Sequence, residues 1–172
     1  VRMVGDEILA FSRNLPLDES NNLNGFWQWT QTLDKSKITE GVTYYGEWLV
    51  PHKVDYGENA RQFYLFDVWQ PKIYGLTGDR GYEYADTWEV AFEAEELGIN
   101  LAPLLYVGPY KGYAHLQSMV GRSVLAVDPQ KGEGIVVKNH KYRSKHGTFV
   151  WLKMVSESFA EVQKVKPPRD PK

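Results

Sequence analysis

Glu133 and Lys138 stand at the two ends of Gly132-Glu133-Gly134-Ile135-Val136-Val137-Lys138-Asn139, which places an acid and a base around an apolar, β-branched middle. Such a run reads as a strand. Side chains alternate faces along a strand, so Glu133, Ile135 and Val137 point one way while Gly134, Val136 and Lys138 point the other. Strict alternation separates the two charges. A twist or bulge beside Gly134 would bring them to one pocket, because glycine inside a strand often marks a bend or a close approach of backbone. The competing interpretation is an edge strand with solvated ends. Glu47 lies in a second β-branched and aromatic run, Val42–Val50, between Tyr45 and Trp48. A carboxylate buried there needs a partner, of which arginine is the ordinary one. In the aromatic run Phe63–Trp69, Tyr64, Phe66 and Val68 share a face by alternation, and such rings either fill a core or, more rarely, form a stacking platform. Arg13 leaves an N-terminal hairpin just before Asn14 and Pro16, and taken alone it is a solvent-facing arginine at a strand end.

The elements that must position these residues follow from local pattern. Gly5-Asp6 is a two-residue connection between Arg2-Met3-Val4 and Glu7-Ile8-Leu9-Ala10-Phe11, which predicts a hairpin. Phe26, Trp29 and Leu33 fall at helical spacing after the polar loop of Asn21, Asn22, Asn24 and Gly25. Asp86 and Glu89 are spaced as a capping box, Trp88, Phe92 and Leu97 form the stripe of the helix that follows, and Gly98 supplies its stop. Its acids Glu93, Glu95 and Glu96 read as water-facing. Leu101–Val107 predicts a short buried strand, His115–Val120 a brief helix ending at Gly121, and Thr148–Val155 a final strand carrying Lys153. Phe159 would pack the tail back onto the body.

Composition narrows the classes. At 172 residues the chain can bury one substantial core, built of two layers or lobes, without covalent staples. It has no cysteine, which excludes disulfides and thiolate metal sites and suits a reducing cytoplasm. No apolar run approaches the roughly 18 residues that span a bilayer. The four histidines His52, His115, His140 and His146 lack the paired spacing of a zinc helix. A net charge of −2 argues against indiscriminate nucleic-acid binding, yet Lys138, Lys141, Arg143, Lys145, Lys153, Lys164 and Lys166 concentrate positive charge in the last third.

Taken together, these stretches resemble the lysine nucleotidyltransferases, the ligases and capping enzymes that move a nucleotide through a lysine adduct. Gly132–Asn139 is similar to their fourth motif, Thr43-Tyr44-Tyr45-Gly46-Glu47 to the third, and Phe63-Tyr64-Leu65-Phe66-Asp67-Val68 to the aromatic strand after it. Leu101-Ala102-Pro103-Leu104-Leu105 and Ser158-Phe159-Ala160-Glu161 point within that superfamily to the ATP-dependent RNA ligases of the phage RNA ligase 2 group. The resemblance implies an α+β nucleotidyltransferase (ATP-grasp-like ligase) domain of antiparallel sheets with packed helices, occupying 1–172. It implies ATP and Mg2+ or Mn2+ as cofactors and RNA ends, in a nicked duplex or a broken RNA, as partners. Arg13 and Glu47 would hold the nucleotide ribose, Phe66 would stack on adenine, Glu133 would hold the metal, and Lys138 and Lys153 would contact phosphate. The group's cytoplasmic, phage-encoded setting is also implied. DNA ligation and guanylyl transfer for RNA capping use the same motifs and stay open, as does a non-catalytic nucleotide- or RNA-binding remnant.

Two positions depart from the pattern. The group carries two lysines in its last motif, two positions apart; Lys153 matches the first and Val155 stands at the second. Phosphate contacts would weaken accordingly, unless a residue such as Lys164 substitutes. The lysine nucleophile belongs to a Lys-x-Asp/His-Gly motif ahead of the opening hairpin, and the chain holds no such sequence. The expectation is therefore a domain truncated at its N-terminus, in which the solvated Lys141 and the other internal lysines are no substitute.

Overall fold

Gly5 and Asp6 turn the chain between strands β1 (Arg2–Val4) and β2 (Glu7–Leu9), as the hairpin spacing predicts, with Gly5 left-handed at φ 57°. The structure is a computed structural model and describes residues 1–51, 53–74, 78–145 and 149–160. His52, His146, Thr148, Glu161, Lys164 and Lys166 lie outside the described residues. Two compact units, Val1–Leu104 and Leu105–Lys172, make up the chain.

The first unit is built on a six-stranded sheet in the order β2-β1-β3-β4-β5, where β3 is Thr43–Trp48, β4 Phe63–Tyr74 and β5 Asp79–Tyr84. The short strand β6 (Asn100–Leu101) joins β4 in parallel beside Tyr64 and Leu65; the other pairs are antiparallel. This is an α+β architecture dominated by antiparallel pairing. Helix α1 (Phe26–Thr30) supplies Phe26 to the core, with Trp27, Trp29 and Leu33 packed against it. Phe26, Trp29, Trp48 and Phe63 form an aromatic cluster with ring centroids 5.0–5.8 Å apart, arrangements that add to simple area burial.

Helix α2 (Thr87–Leu97) starts at the expected capping box. Asp86 Oδ1 accepts from the Trp88 and Glu89 amides at 2.8 and 2.9 Å, and the Glu89 carboxylate accepts from the Asp86 amide at 2.7 Å. Gly98 ends it in a left-handed conformation at φ 64°. The buried stripe differs from the expected one. Val90 and Ala94 face the sheet with Leu97 beside them, whereas Trp88 and Phe92 are 69 % and 60 % exposed. Positions 90, 94 and 97 follow the i, i+4, i+7 spacing of a helix's buried stripe. Glu93 is also not simply water-facing, because its Oε2 accepts from the Tyr44 hydroxyl at 3.2 Å.

The predicted strand Leu101–Val107 is reduced to β6. Ala102 still donates to the Leu65 carbonyl at 2.7 Å, but Pro103 has no amide to continue the ladder, and Leu104, Leu105 and Val107 are 44–54 % exposed. β5, in contrast, has no signal in the sequence pattern.

In the second unit β7 (Gly134–Val137) pairs antiparallel with β8 (Leu152–Val155). Helix α3 (Tyr113–Gln117) begins two residues before the expected span and stops earlier, its continuation being turns in which Met119 and Val120 donate to Leu116 and Gln117. A single 3-10 turn, Glu157–Phe159, follows β8 and leaves Phe159 partly buried. Among the described residues no helix is long and apolar enough to cross a membrane.

Candidate functional site

On β3 the core face carries Tyr44 and Trp48, 2 % and 8 % exposed, so Tyr45 and Glu47 turn to the opposite, open face. Glu47 is therefore exposed and not the buried carboxylate that would demand an internal partner. Gly46 lies between them on the core side. A Cβ there would stand 2.2 Å from the Phe63 ring and 2.6 Å from the Tyr64 carbonyl oxygen, so only glycine admits that ring.

Opposite Gly46 the pairing slips. Tyr45 is aligned with Asp67 and Gly46 with Leu65, which leaves Phe66 as an extra residue in β4. This is a β-bulge, and it inverts the alternation on one side of the insertion. Phe63, Leu65 and Val68 all enter the core, Leu65 and Val68 with no exposure at all, while Phe66 is 40 % exposed. The expectation that Tyr64, Phe66 and Val68 share a face is thus corrected: the bulge sends Val68 to the core face. It also turns both Phe66 and Asp67 to the open side.

Asp67 was not marked by the sequence pattern. Being directly opposed to Tyr45, it shares that residue's face, yet it is only 2 % exposed. The aromatic rings around it provide the cover: Tyr45 and Tyr84 are 6.1 Å apart, Trp69 and Tyr84 4.7 Å, and Trp69 and Tyr82 6.1 Å. Burial, followed by the nearby Tyr45 and Asp67, pushes the Tyr84 phenol above its usual pKa. A carboxylate is costly to bury, so its presence beside an exposed ring marks this face. The available signal was an acid in the middle of an aromatic strand. Tyr64, opposed to Glu47, is held by a hydrogen bond from its hydroxyl to Asn59 Oδ1 at 2.9 Å. Arg13 lies exposed in the bend after β2, where Ser12 and Leu15 exchange hydrogen bonds. Among the described residues no contact joins its guanidinium to Glu47 or Phe66.

In the second unit, glycines set the position of Glu133. A Cβ on Gly134 would stand 2.0 Å from the Met154 carbonyl oxygen, and one on Gly132 2.2 Å from the Arg122 carbonyl oxygen. Gly134 therefore marks a close backbone approach, one of the two features expected of it. Ser156 fixes the segment from both sides, its amide donating to the Glu133 carbonyl at 2.8 Å and its hydroxyl to the Gly132 carbonyl at 3.1 Å. Held in this way, Glu133 accepts from Lys153 Nζ through Oε1 at 2.5 Å. The Lys138 ammonium lies 4.9 Å from the Trp151 ring centroid. Val136 is aligned with Lys153, and Lys138 follows Val136 by two positions, which places both lysines on one side of the ribbon. Val155 is 37 % exposed and pairs with Gly134.

The Glu133–Lys153 pair is about half exposed, 47 % and 58 % by side chain. Such pairs contribute only about 0–1 kcal/mol to stability, so this one does little for the fold. Chemically it presents a carboxylate with one oxygen engaged and ammonium groups on the same ribbon. Among the described residues no three His, Asp or Glu side chains converge into a metal cage. Glu133 is a single carboxylate of the hard oxygen type that Mg2+ takes, and its Oε1 is engaged by Lys153.

A sequence model of the RNA ligase family matches residues 1–155. No curated protein and no solved structure matches the chain. The match covers both the aromatic face with its bulge and the glycine-flanked acid with its lysines, and on that extent the chain belongs to the RNA ligase family.

Proposed function

We propose that the chain is the nucleotide-binding part of an ATP-dependent RNA ligase of the phage RNA ligase 2 type, acting in the cytoplasm on broken or nicked RNA. The observation that carries this is the bulge at Phe66, which holds an aromatic ring out of a core that takes its neighbours Leu65 and Val68 completely. A bound adenine would cover the exposed part of that ring by stacking. Glu47 and Arg13 would contact the ribose, and Asp67, buried beside Phe66, would fix the surrounding polar groups.

The chemistry assigned to the family fits the second ribbon. A lysine amine attacks the α-phosphate of ATP, pyrophosphate leaves, and a lysine–AMP phosphoramidate forms. AMP then passes to an RNA 5′-phosphate, and a 3′-hydroxyl attacks that phosphate, forming the phosphodiester and releasing AMP. Each step crowds negative charge on phosphoryl oxygens, and Lys138 and Lys153 would stabilise it by position and charge. A divalent cation at Glu133 would supply further neutralisation of phosphate charge. Lys153, paired with that carboxylate, would orient it and move to phosphate when nucleotide binds.

Titration calorimetry with ATP and GTP tests the proposal. ATP should bind in preference to GTP, and absence of binding by the folded chain would remove the assignment.

A further inference from the structure

From Gly134 to Ser156 the chain holds Lys138, Lys141, Arg143, Lys145 and Lys153 and no Asp or Glu. One hairpin of a chain with net charge −2 thus concentrates five positive charges. β7 and β8 pair over only four residues each, and beyond them cations and rings interleave. Lys138 lies over Trp151 at 4.9 Å, and the Arg143 guanidinium over Phe149 at 4.1 Å. The two rings are stacked, 6.4 Å apart at 17°, while Arg143 and Phe149 are also bridged through their backbones. Between the two cations the chain makes a turn, in which Asn139 accepts from the Lys141 amide through its side chain at 3.0 Å and from the Tyr142 amide through its carbonyl at 3.1 Å. Lys141 and Lys145 are exposed and have no ion-pair partner among the described residues. Tyr142 is 55 % exposed.

We infer that this arm, residues 138–145 with Phe149 and Trp151, is a docking arm for the RNA strand, a deepening that rests on the function proposed above. The exposed Lys141 and Lys145 contact phosphates of the strand, while the exposed Tyr142 stacks on a base. The chemistry favours RNA over the other polyanions. Cations alternating with rings suit a polymer that alternates phosphates with bases. The ribbon also exposes Val136, Val150 and Leu152, so an anionic membrane surface is the competing occupant, and the vesicle arm of the test below separates it from RNA. Lys138 serves at the junction with the nucleotide-phosphate site; Lys141 and Lys145 serve only the strand.

The test is fluorescence anisotropy with a 5′-phosphorylated single-stranded RNA over a salt series, using the chain and its Lys141→Ala/Lys145→Ala and Tyr142→Ala variants. Each lost phosphate contact should flatten the slope of log K against log salt by about 0.7, so the double variant should lose about 1.4. Tyr142→Ala should weaken binding about 5- to 150-fold, and Tyr142→Phe should not. ATP affinity, read by calorimetry, should be unchanged in all of them. An unchanged slope and affinity in the double variant would overturn the arm while leaving the nucleotide assignment standing; loss of ATP binding by the unmodified chain would overturn the assignment itself. Tighter binding to vesicles rich in anionic lipid than to RNA would also overturn the arm. Should the alanine pair fail to fold, Lys141→Gln/Lys145→Gln gives the same readout.

Discussion

Replacing Phe66 by leucine separates a recognition ring from a core ring, because the two roles predict opposite balances between binding and stability. Full burial of a phenylalanine contributes about 1.5–3 kcal/mol. Phe66 already leaves 40 % of its surface in solvent, and leucine retains much of the rest, so the stability cost should stay below about 1 kcal/mol. At roughly 2–4 °C per kcal/mol for a chain of this size, the melting temperature should fall by only a few degrees. Loss of base stacking is worth about 1–3 kcal/mol, which corresponds to about 5- to 150-fold in the Kd for ATP. Leu65→Ala provides the contrast. That side chain has no exposure and sits in the core, so its truncation should cost about 2–5 kcal/mol, with little effect on ATP affinity in the fraction that remains folded. Calorimetric titration paired with a thermal melt reads both quantities. A Phe66→Leu protein that melts as low as Leu65→Ala and binds ATP at the original affinity would refute the stacking role.

Gly134→Ala should destabilise the second ribbon by about 1–3 kcal/mol, because a Cβ there meets the Met154 backbone oxygen at 2.0 Å; differential hydrogen exchange on 134–137 and 152–155 would detect it, and unchanged protection would show that the strands relax freely. Incubated with ATP and Mg2+, the chain should acquire no covalent AMP, since it holds no Lys-x-Asp/His-Gly sequence. An intact-mass gain of one AMP on a lysine of this chain would contradict that expectation.

Features set by short-range hydrogen bonds were legible in the sequence. The capping box of Asp86 and Glu89, the Gly98 stop and the Gly5-Asp6 turn depend on a few adjacent residues, and each forms as its spacing indicates. Features set by a neighbouring strand were not. The regular alternation of Tyr64, Phe66 and Val68 contains no trace of the bulge, which lies where Gly46 of another strand receives the Phe63 ring. Side-chain size was also a poor guide on α2, where Val90 and Ala94 are buried and the larger Trp88 and Phe92 remain outside. β5 escaped because Asp79-Arg80-Gly81-Tyr82-Glu83-Tyr84 mixes charges with rings and glycine, and its strand character comes from pairing with the far half of β4. At the candidate site the glycine beside Glu133 correctly indicated a close backbone approach. The partnership of Glu133 with Lys153 instead of Lys138 depends on β8, twenty residues away in sequence, and the cover over Asp67 depends on rings from three strands.

The sealing step provides the most direct measurement, because it consumes an RNA already adenylated at its 5′-phosphate and needs no lysine nucleophile. Supplied with a nicked duplex bearing that adenylated end, Mg2+ and no ATP, the chain should form a phosphodiester and release one AMP per join. Glu133→Gln should lower the rate by about 10²–10³-fold, as should Lys138→Ala, while Lys141→Ala at saturating RNA should leave it unchanged. Melting temperatures should scarcely move, since the Glu133–Lys153 pair is half exposed and contributes about 0–1 kcal/mol. Folded Glu133→Gln and Lys138→Ala proteins that join the ends at the unmodified rate would contradict the assignment of this ribbon to phosphoryl chemistry.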